Sequence, residues 1–382
     1  MPLHRALPAA LLAIAASVLV AAPAAAAPPV DVRVATFNAS LNRAAEGELV
    51  ADLSTPDHPQ AREVAEVVQR VRPDVLLINE FDHAPAAVDL FRDNYLERGQ
   101  NGAEPIDYPH AFLAPSNTGV PSGFDLDNDG TVGGPNDALG FGAFPGQYGM
   151  LVLSRFPIDT AAVRTFQRFR WKDLPGTRLP GDFYSPEEQA VLPLSSKSHW
   201  DVPVRVGNRT LHVLAAHPTP PTFDGPEDRN GLRNADEIAF WRLYVEPGAA
   251  GDALYDDAGR RGGLAGGERF VILGDQNSDP FDGDSLPGAA EQILTADRVI
   301  DPAPGSDGAV EAANSGHGGD PRLDTADFSD PTPGNLRVDY VLPSRPMDVR
   351  GSGVFWPVAA DPLARLNDAS DHHSTWVDLR VP

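Results

Sequence analysis

Asp275 and Asn277 stand one residue apart at the end of an apolar run, in the segment Phe270-Val271-Ile272-Leu273-Gly274-Asp275-Gln276-Asn277-Ser278-Asp279-Pro280. Apolar residues that stop at a glycine have the pattern of a short buried strand. Alternate residues at a strand exit point the same way, so both side chains can reach one metal ion, water or phosphate. A plain Gly-Asp turn accounts for this segment equally well. The choice depends on the other strand exits. Asn38, Glu80, His217, Asp339 and the pair Asp371-His372 also stand at or near the ends of buried-looking strands. Alone, each reads as a solvated turn residue or a satisfied histidine. Together they supply what metal-assisted cleavage of a phosphate ester requires. That chemistry needs hard oxygen ligands for a divalent cation, a base for water, and a cationic donor beside the phosphate oxygens.

The elements that position these residues alternate along the chain. Val32 to Phe37 reads as a strand ending at Asn38, and Val75 to Ile78 as a buried strand ending at Asn79-Glu80. Between them, residues 60–71 have helical spacing, with Pro73 just past the end. Residues 85–96 predict a second helix. Residues 99–147 and 166–196 are rich in turn formers and read as irregular insertions, with a strand from Met150 to Ser154 between them. Trp200 to Val206 and Thr210 to Ala215 predict a hairpin across Gly207-Asn208. Gly231 to Val245 predicts a helix. Residues 302–335 read as loop, followed by strands at Arg337 to Leu342 and Ser374 to Val381.

Composition narrows the chemistry. The chain has 382 residues and no cysteine, which excludes disulfides, zinc thiolates, iron–sulfur clusters and cysteine nucleophiles. The formal net charge is −24, and Lys172 and Lys197 are the lysines. No basic stripe is present for non-specific nucleic-acid binding. The charge fits a cation-binding chain, but the acidic surface of a soluble secreted protein accounts for the bulk of it better.

The first residues read as a leader. His4 and Arg5 precede the small apolar run Ala6 to Ala22, and Ala24-Ala25-Ala26 is an A-x-A cleavage pattern. We expect a secretory signal peptide over 1–26 and one catalytic domain over 27–382. A single membrane anchor is the rival reading; the run is short, Ala-rich and carries Pro8.

The ordered set of motifs resembles the endonuclease/exonuclease/phosphatase superfamily, which includes DNase I-like nucleases, bacterial sphingomyelinases and inositol polyphosphate phosphatases. The matching segments are Ala35-Thr36-Phe37-Asn38, Asn79-Glu80, Tyr148 to Ile158, Ala216-His217, Gly274-Asp275-Gln276-Asn277, Arg337 to Val341 and Ser370-Asp371-His372. They occur in the family order and span most of the chain. The resemblance implies an α/β fold, a four-layer sandwich of two mixed β-sheets flanked by helices. It implies that Asn38 and Glu80 hold a divalent cation (Mg2+, Mn2+ or Ca2+), with Asp371 completing its surroundings. It further implies that Asp275 orients or deprotonates the attacking water and Asn277 holds a phosphoryl oxygen. His217 would lie against the phosphate, and His372 would stabilise developing charge with its tautomer set by Asp339. Tyr148 would hydrogen-bond a phosphate oxygen; packing on the sheet end is its alternative. The sequence departs from the family pattern in three places. Ser40 stands where some nucleases carry Asp, Asn79 replaces the common Gln, and His217 stands where DNA-repair members place Tyr. His373 follows His372, and strand alternation puts only one of them in the site.

A second cation site is expected in Asp125-Leu126-Asp127-Asn128-Asp129-Gly130-Thr131. The D-x-D-x-D-G spacing matches the first half of an EF-hand-like loop, with Asn136 and then Asp137 where a Glu is usual. The expectation is a structural Ca2+ in the loop 125–137, held by Asp125, Asp127 and Asp129; a plain acidic turn is the alternative. Arg229 and Arg233 are placed either on substrate phosphate or on Glu227 and Glu237, and His199 at the surface, with the phosphate as its alternative partner. The predicted function is secreted, extracellular, metal-dependent phosphoester hydrolysis by a monomer with no stable membrane anchor. Nucleic acid as substrate, cut by an extracellular nuclease, is the alternative.

Overall fold

The computed structural model describes Met1, Pro2 and residues 28–382. The leader expected over 1–26 therefore falls outside the described residues, apart from its first two.

Two mixed sheets stack face to face. Their strands, in chain order, are β1 (Val30–Asn38), β2 (Val75–Asn79), β3 (His110–Phe112), β4 (Met150–Ser154), β5 (Arg164–Thr165), β6 (His199–Val206), β7 (Arg209–Ala216), β8 (Arg269–Asp275), β9 (Ala326–Asp327), β10 (Asn335–Leu336), β11 (Asp339–Pro343), β12 (Asp348–Val354) and β13 (Thr375–Val381). The first sheet runs β12-β13-β1-β2-β4-β3 and the second β11-β8-β7-β6-β5; β9 and β10 form a separate ribbon. Each sheet is built around one parallel pair, β1 with β2 and β7 with β8, flanked by antiparallel strands.

Side-chain alternation explains the layers. Val32 and Val34 of β1, Val75 and Leu77 of β2, and Val271 and Leu273 of β8 meet between the sheets in one buried cluster. The intervening Ala35, Phe37, Leu76 and Ile78 face outward onto α1 (Glu48–Leu53), α2 (Pro59–Val71) and α3 (Pro85–Phe91). Phe270 and Ile272 face outward on the other side and pack in one buried cluster with α5 (Arg229–Val245), while α4 (Pro186–Val191) buries no residue of its own. Both faces of every central strand are covered, so these strands read as continuous apolar runs. The result is the expected four-layer sandwich of two mixed sheets flanked by helices. Among the described residues, no helix is long and apolar enough to cross a membrane.

Some elements differ from their sequence pattern. The helix expected over 85–96 is α3 continued by a π-helical turn, Arg92–Leu96. The insertion 99–147 contributes β3 as an edge strand, and 166–196 contains α4, whose capping box joins Ser185 and Glu188. β12 has no matching prediction. Gly351 and Gly353 interrupt its side-chain alternation, and its register shifts between Val349 and Gly351, so the period-2 signal is erased.

Candidate active site

Sheet topology brings the candidate residues to one edge. A parallel pair leaves its C-terminal ends at the same edge, and an antiparallel neighbour starts there. Thus Asn38 and Asn79 lie side by side at the ends of β1 and β2, with Thr375 of β13 and Met150 of β4 starting next to them. In the second sheet, β8 ends at Asp275 opposite the first residue of β11, Asp339. β7 ends at Ala216 opposite His199, the first residue of β6. Asn38, Glu80, His217 and Asp275 are therefore exits of parallel pairs. Tyr148, Asp339 and His372 stand at or just before the starts of their antiparallel partners.

Asn79 sutures the two sheets beneath the site. Its Oδ1 accepts from the Asp275 backbone N–H (3.1 Å), and its Nδ2 donates to the Ala216 carbonyl (3.3 Å). Above it, Asp275 is the hub, and it is 1 % exposed. Asp275 Oδ2 accepts from Asn38 Nδ2 (3.1 Å) and lies 3.3 Å from His217 Nε2 and 3.7 Å from His372 Nε2. Its Oδ1 accepts from the Asn277 backbone N–H at 2.8 Å. The Asn277 side chain donates to the Pro218 carbonyl (3.1 Å) and to Asp275 Oδ2 (3.4 Å). On the other side, His372 Nδ1 meets Asp339 Oδ2 at 2.8 Å, and the Thr325 hydroxyl donates to the same oxygen at 3.0 Å. Asn38 Nδ2 also donates to Glu80 Oε1 (3.2 Å), while Asn42 donates to Glu80 Oε2 (2.6 Å).

Three of these residues are held in left-handed backbone: Glu80 (φ 60), Tyr148 (φ 55) and Asn277 (φ 49). Such conformations are costly for residues with a Cβ and persist where the surroundings over-determine them. Asp82 supplies part of that constraint at Tyr148 by accepting from its backbone N–H (3.2 Å). The half-buried Tyr148 hydroxyl has no protein partner among the described residues, and burial beside Glu80 and Asp82 pushes its pKa up. It stays a neutral donor in the field of Glu80 and Asp82.

The charges order the protons. Burial disfavours a charged His372, but the carboxylates of Asp339 and Asp275 prevail and raise its pKa to about 10. Burial would also raise Asp275, yet His372 and His217 hold it well below the usual carboxylate range. Burial pushes Asp339 up against the pull of His372 and Thr325, so a proton stays within the Asp339–His372 pair. His373 points away, with its ring stacked on Trp356 at 3.8 Å; burial and the His372 charge lower its pKa to about 3.

The profile described as "Endonuclease/Exonuclease/phosphatase family" matches residues 35–372. The chain belongs to this family. Endonucleases, exonucleases and phosphatases all hydrolyse phosphoester bonds, and that is the chemistry of the family. Among solved structures, the endonuclease/exonuclease/phosphatase from Beutenbergia cavernae DSM 12333 is 18% identical with a TM-score of 0.50; the match covers 92% of this chain and 72% of that chain. It shares the fold. A family protein from Leptotrichia buccalis C-1013-b is 14% identical (TM-score 0.46, 91% of this chain and 98% of that one). The sphingomyelinase C from Streptomyces griseocarneus is 14% identical (TM-score 0.47, 91% and 99%). No curated protein matches the chain.

In this family member the donor set fits a hard divalent cation. Glu80 presents carboxylate oxygens at the mouth, Asn38 turns its Nδ2 toward Glu80 while its Oδ1 accepts from the Ser40 N–H (3.3 Å), and among the described residues no Lys or Arg forms an ion pair with Glu80 or Asp275. Asp339 Oδ1 is buried without a hydrogen-bond partner, and Asp275, Asp339 and His372 offer ligand atoms within 4.8 Å of one another. At this edge the buried trio is thus the group whose ligand atoms converge, and the Glu80 carboxylate at the mouth is a second candidate position for a cation. The implied third ligand, Asp371, is exposed. Its carboxylate accepts from the hydroxyls of Ser40 and Ser370 (3.4 Å each), and among the described residues no hydrogen bond joins it to the Asn38 or Glu80 side chain.

Other expected placements change. His199 is not at the surface: it is buried against Phe240 and Trp241, with Nε2 on the Glu237 carbonyl at 2.9 Å. Arg229 pairs with Glu227. Arg233 neither reaches a carboxylate nor faces the site; it ties down the carbonyls of Leu139, Pro193 and Leu194. In the loop 125–137, Asp125, Asp127 and Asp137 converge. Asp129 is not among them; its carboxylate accepts from the Thr131 N–H within its own turn (2.7 Å). Asn42 and Thr325 were not singled out in the sequence. Both sit in loops without a periodic pattern, and only their contacts with Glu80 and Asp339 reveal them.

The charge pattern makes a pH prediction for the cation-free protein. Histidine in an unfolded chain titrates near about 6.5. The folded value of His372 is higher, so its charged form stabilises the fold. That contribution is complete below pH ~6.5 and is lost as pH rises through about 10. Asp275 has the opposite sign: its folded pKa is depressed, so its stabilisation is present at neutral pH and lost in acid. Thermal melts of chelated protein should show an alkaline fall in Tm that His372→Asn flattens. An unchanged alkaline limb in that variant would remove His372 as the cause.

Proposed function

We propose that this chain is a secreted, divalent-cation-dependent phosphoester hydrolase that attacks phosphorus with a water oriented by Asp275. One observation carries the reading: Asp275 Oδ2 lies among Asn38, His217 and His372 at the meeting point of both sheets. Asn38 and Glu80 would hold the cation, which when bound neutralises phosphate charge and lowers the barrier to attack. Asp275 is ionised, so its part is to orient the water and accept its proton as the new P–O bond forms, while the ester P–O bond opposite breaks and the leaving oxygen takes a proton from solvent. His372, charged and fixed through Nδ1 by Asp339, faces the phosphoryl oxygens with Nε2. His217 faces the same space with Nε2. Asn277 and Tyr148 complete the donor ring.

The assay is direct. Purified mature chain is tested with Mg2+, Mn2+ or Ca2+ on bis-p-nitrophenyl phosphate, p-nitrophenyl phosphate, sphingomyelin and plasmid DNA. Hydrolysis of a small or lipid phosphoester is expected. Nicking of plasmid alone would transfer the assignment to an extracellular nuclease, and no turnover on any substrate would remove the enzyme reading. Export is checked by the N-terminal sequence of protein recovered from culture medium; a start near Ala27 is expected.

The loop 125–137 is proposed to take a structural Ca2+ through Asp125, Asp127 and Asp137. Adding Ca2+ after chelation should raise Tm by a few degrees, and Asp137→Asn should abolish the rise. Equal shifts in both proteins would place the ion elsewhere.

A further inference from the structure

We propose that Lys197 is a phosphate-binding residue of the site, donating to a non-bridging oxygen beside Asn277; this rests on the phosphoester-hydrolase reading above. Lys197 lies just before β6, at the same sheet edge as His217 and Asp275, and is only 6 % exposed. Its ammonium makes one long hydrogen bond, to the Pro218 carbonyl at 3.4 Å. The same carbonyl accepts from Asn277 Nδ2 at 3.1 Å, so the ammonium and the amide stand side by side.

An ammonium carries three donors. Among the described residues the remaining donors of Lys197 meet no acceptor, and no carboxylate pairs with it within 4.0 Å. Burying a cation without a close partner is unfavourable unless another anion takes its charge. Glu237, Glu80 and Asp275 act on it only from a distance, and the cation of Arg233 opposes them. A phosphate oxygen between Lys197 and Asn277 supplies the missing partner.

The position is built, not incidental. Glu237 is fully buried and accepts from the backbone N–H groups of Ser196 (2.7 Å) and Thr219 (2.6 Å). One carboxylate therefore clamps the residue before Lys197 to the residue after Pro218. The competing role for Lys197 is that of a distant counter-charge to Glu237.

Lys197→Met separates the two roles. Binding of inorganic phosphate is measured by calorimetry with Mg2+ present, alongside kcat/KM on bis-p-nitrophenyl phosphate and Tm. Phosphate affinity should fall about 30-fold and kcat/KM about 100-fold, with Tm unchanged or raised because a buried charge has gone. A folded K197M with unchanged phosphate affinity and kcat/KM would overturn the proposal. If K197M does not fold, K197R carries the test. It keeps the charge that Glu237 faces but spreads its donors over a planar fork. Weaker phosphate binding by folded K197R supports the role, and unchanged binding overturns it. If the wild-type chain binds phosphate but hydrolyses no ester, the hydrolase reading fails while the variants' phosphate affinities still decide Lys197.

Discussion

Asp275→Asn should lower kcat by about 10³-fold and leave the fold intact. Asparagine keeps the shape and retains one oxygen to accept the Asn277 N–H. It loses the charge that faces His217 and His372 and the acceptor that takes a proton from water. A second consequence follows from the same geometry. His372 is raised to about 10 partly by Asp275, so the variant's imidazole should titrate closer to neutrality. NMR titration of the His372 ring reads that shift independently of turnover. A variant retaining more than about a tenth of wild-type kcat would show that Asp275 is not the water-orienting group. Loss of activity with an unmoved His372 titration would mean that the carboxylate acts on water alone.

Glu80→Gln should weaken activation by Mg2+ or Mn2+ by about 100-fold or more, since even outer-shell partners of a metal contribute about 10- to 100-fold. Glutamine preserves the reach and one oxygen but removes the charge that Asn42 and Asn38 now orient. Asp339→Asn is the matched control. Its buried carboxylate holds His372 Nδ1 at 2.8 Å, so the amide should lower kcat by about 10²- to 10⁴-fold through the wrong tautomer and leave metal affinity nearly unchanged. The pair of variants discriminates between the two cation positions. Metal affinity lost in Glu80→Gln places the ion at the mouth. Metal affinity lost in Asp339→Asn instead places it in the trio of Asp275, Asp339 and His372.

Much of the fold was legible because its central strands are short apolar runs that end in polar residues. β1, β2, β4, β6, β7 and β8 lie within a residue or two of their sequence patterns. The missed strands are short or at edges: β5, β9 and β10 have two residues each, β3 has three, and β12 is broken by glycines. Edge strands bury one side or less, so alternation there is weak. Lys197 and His199 show a different limit. Both stand in a polar stretch, yet both are buried: His199 lies under Phe240 and Trp241 of α5, and Lys197 shares the Pro218 carbonyl with Asn277.

The sequence by itself determined which residues stand at strand exits, since that depends only on local periodicity and on where each apolar run stops. It determined the segments and the order through which the chain belongs to its family. Tertiary structure decided which exits meet. Asp275 and Asp339 are opposite because β8 and β11 pair antiparallel, and Asn38 reaches Asp275 because two separate sheets stack with Asn79 bonded across them. The same is true of Asp339 on His372, of Asp137 in place of Asp129, and of Lys197 beside Asn277. Side-chain direction along one strand is a property of that strand, whereas distance between strands is set by sheet order and packing, which no single segment encodes.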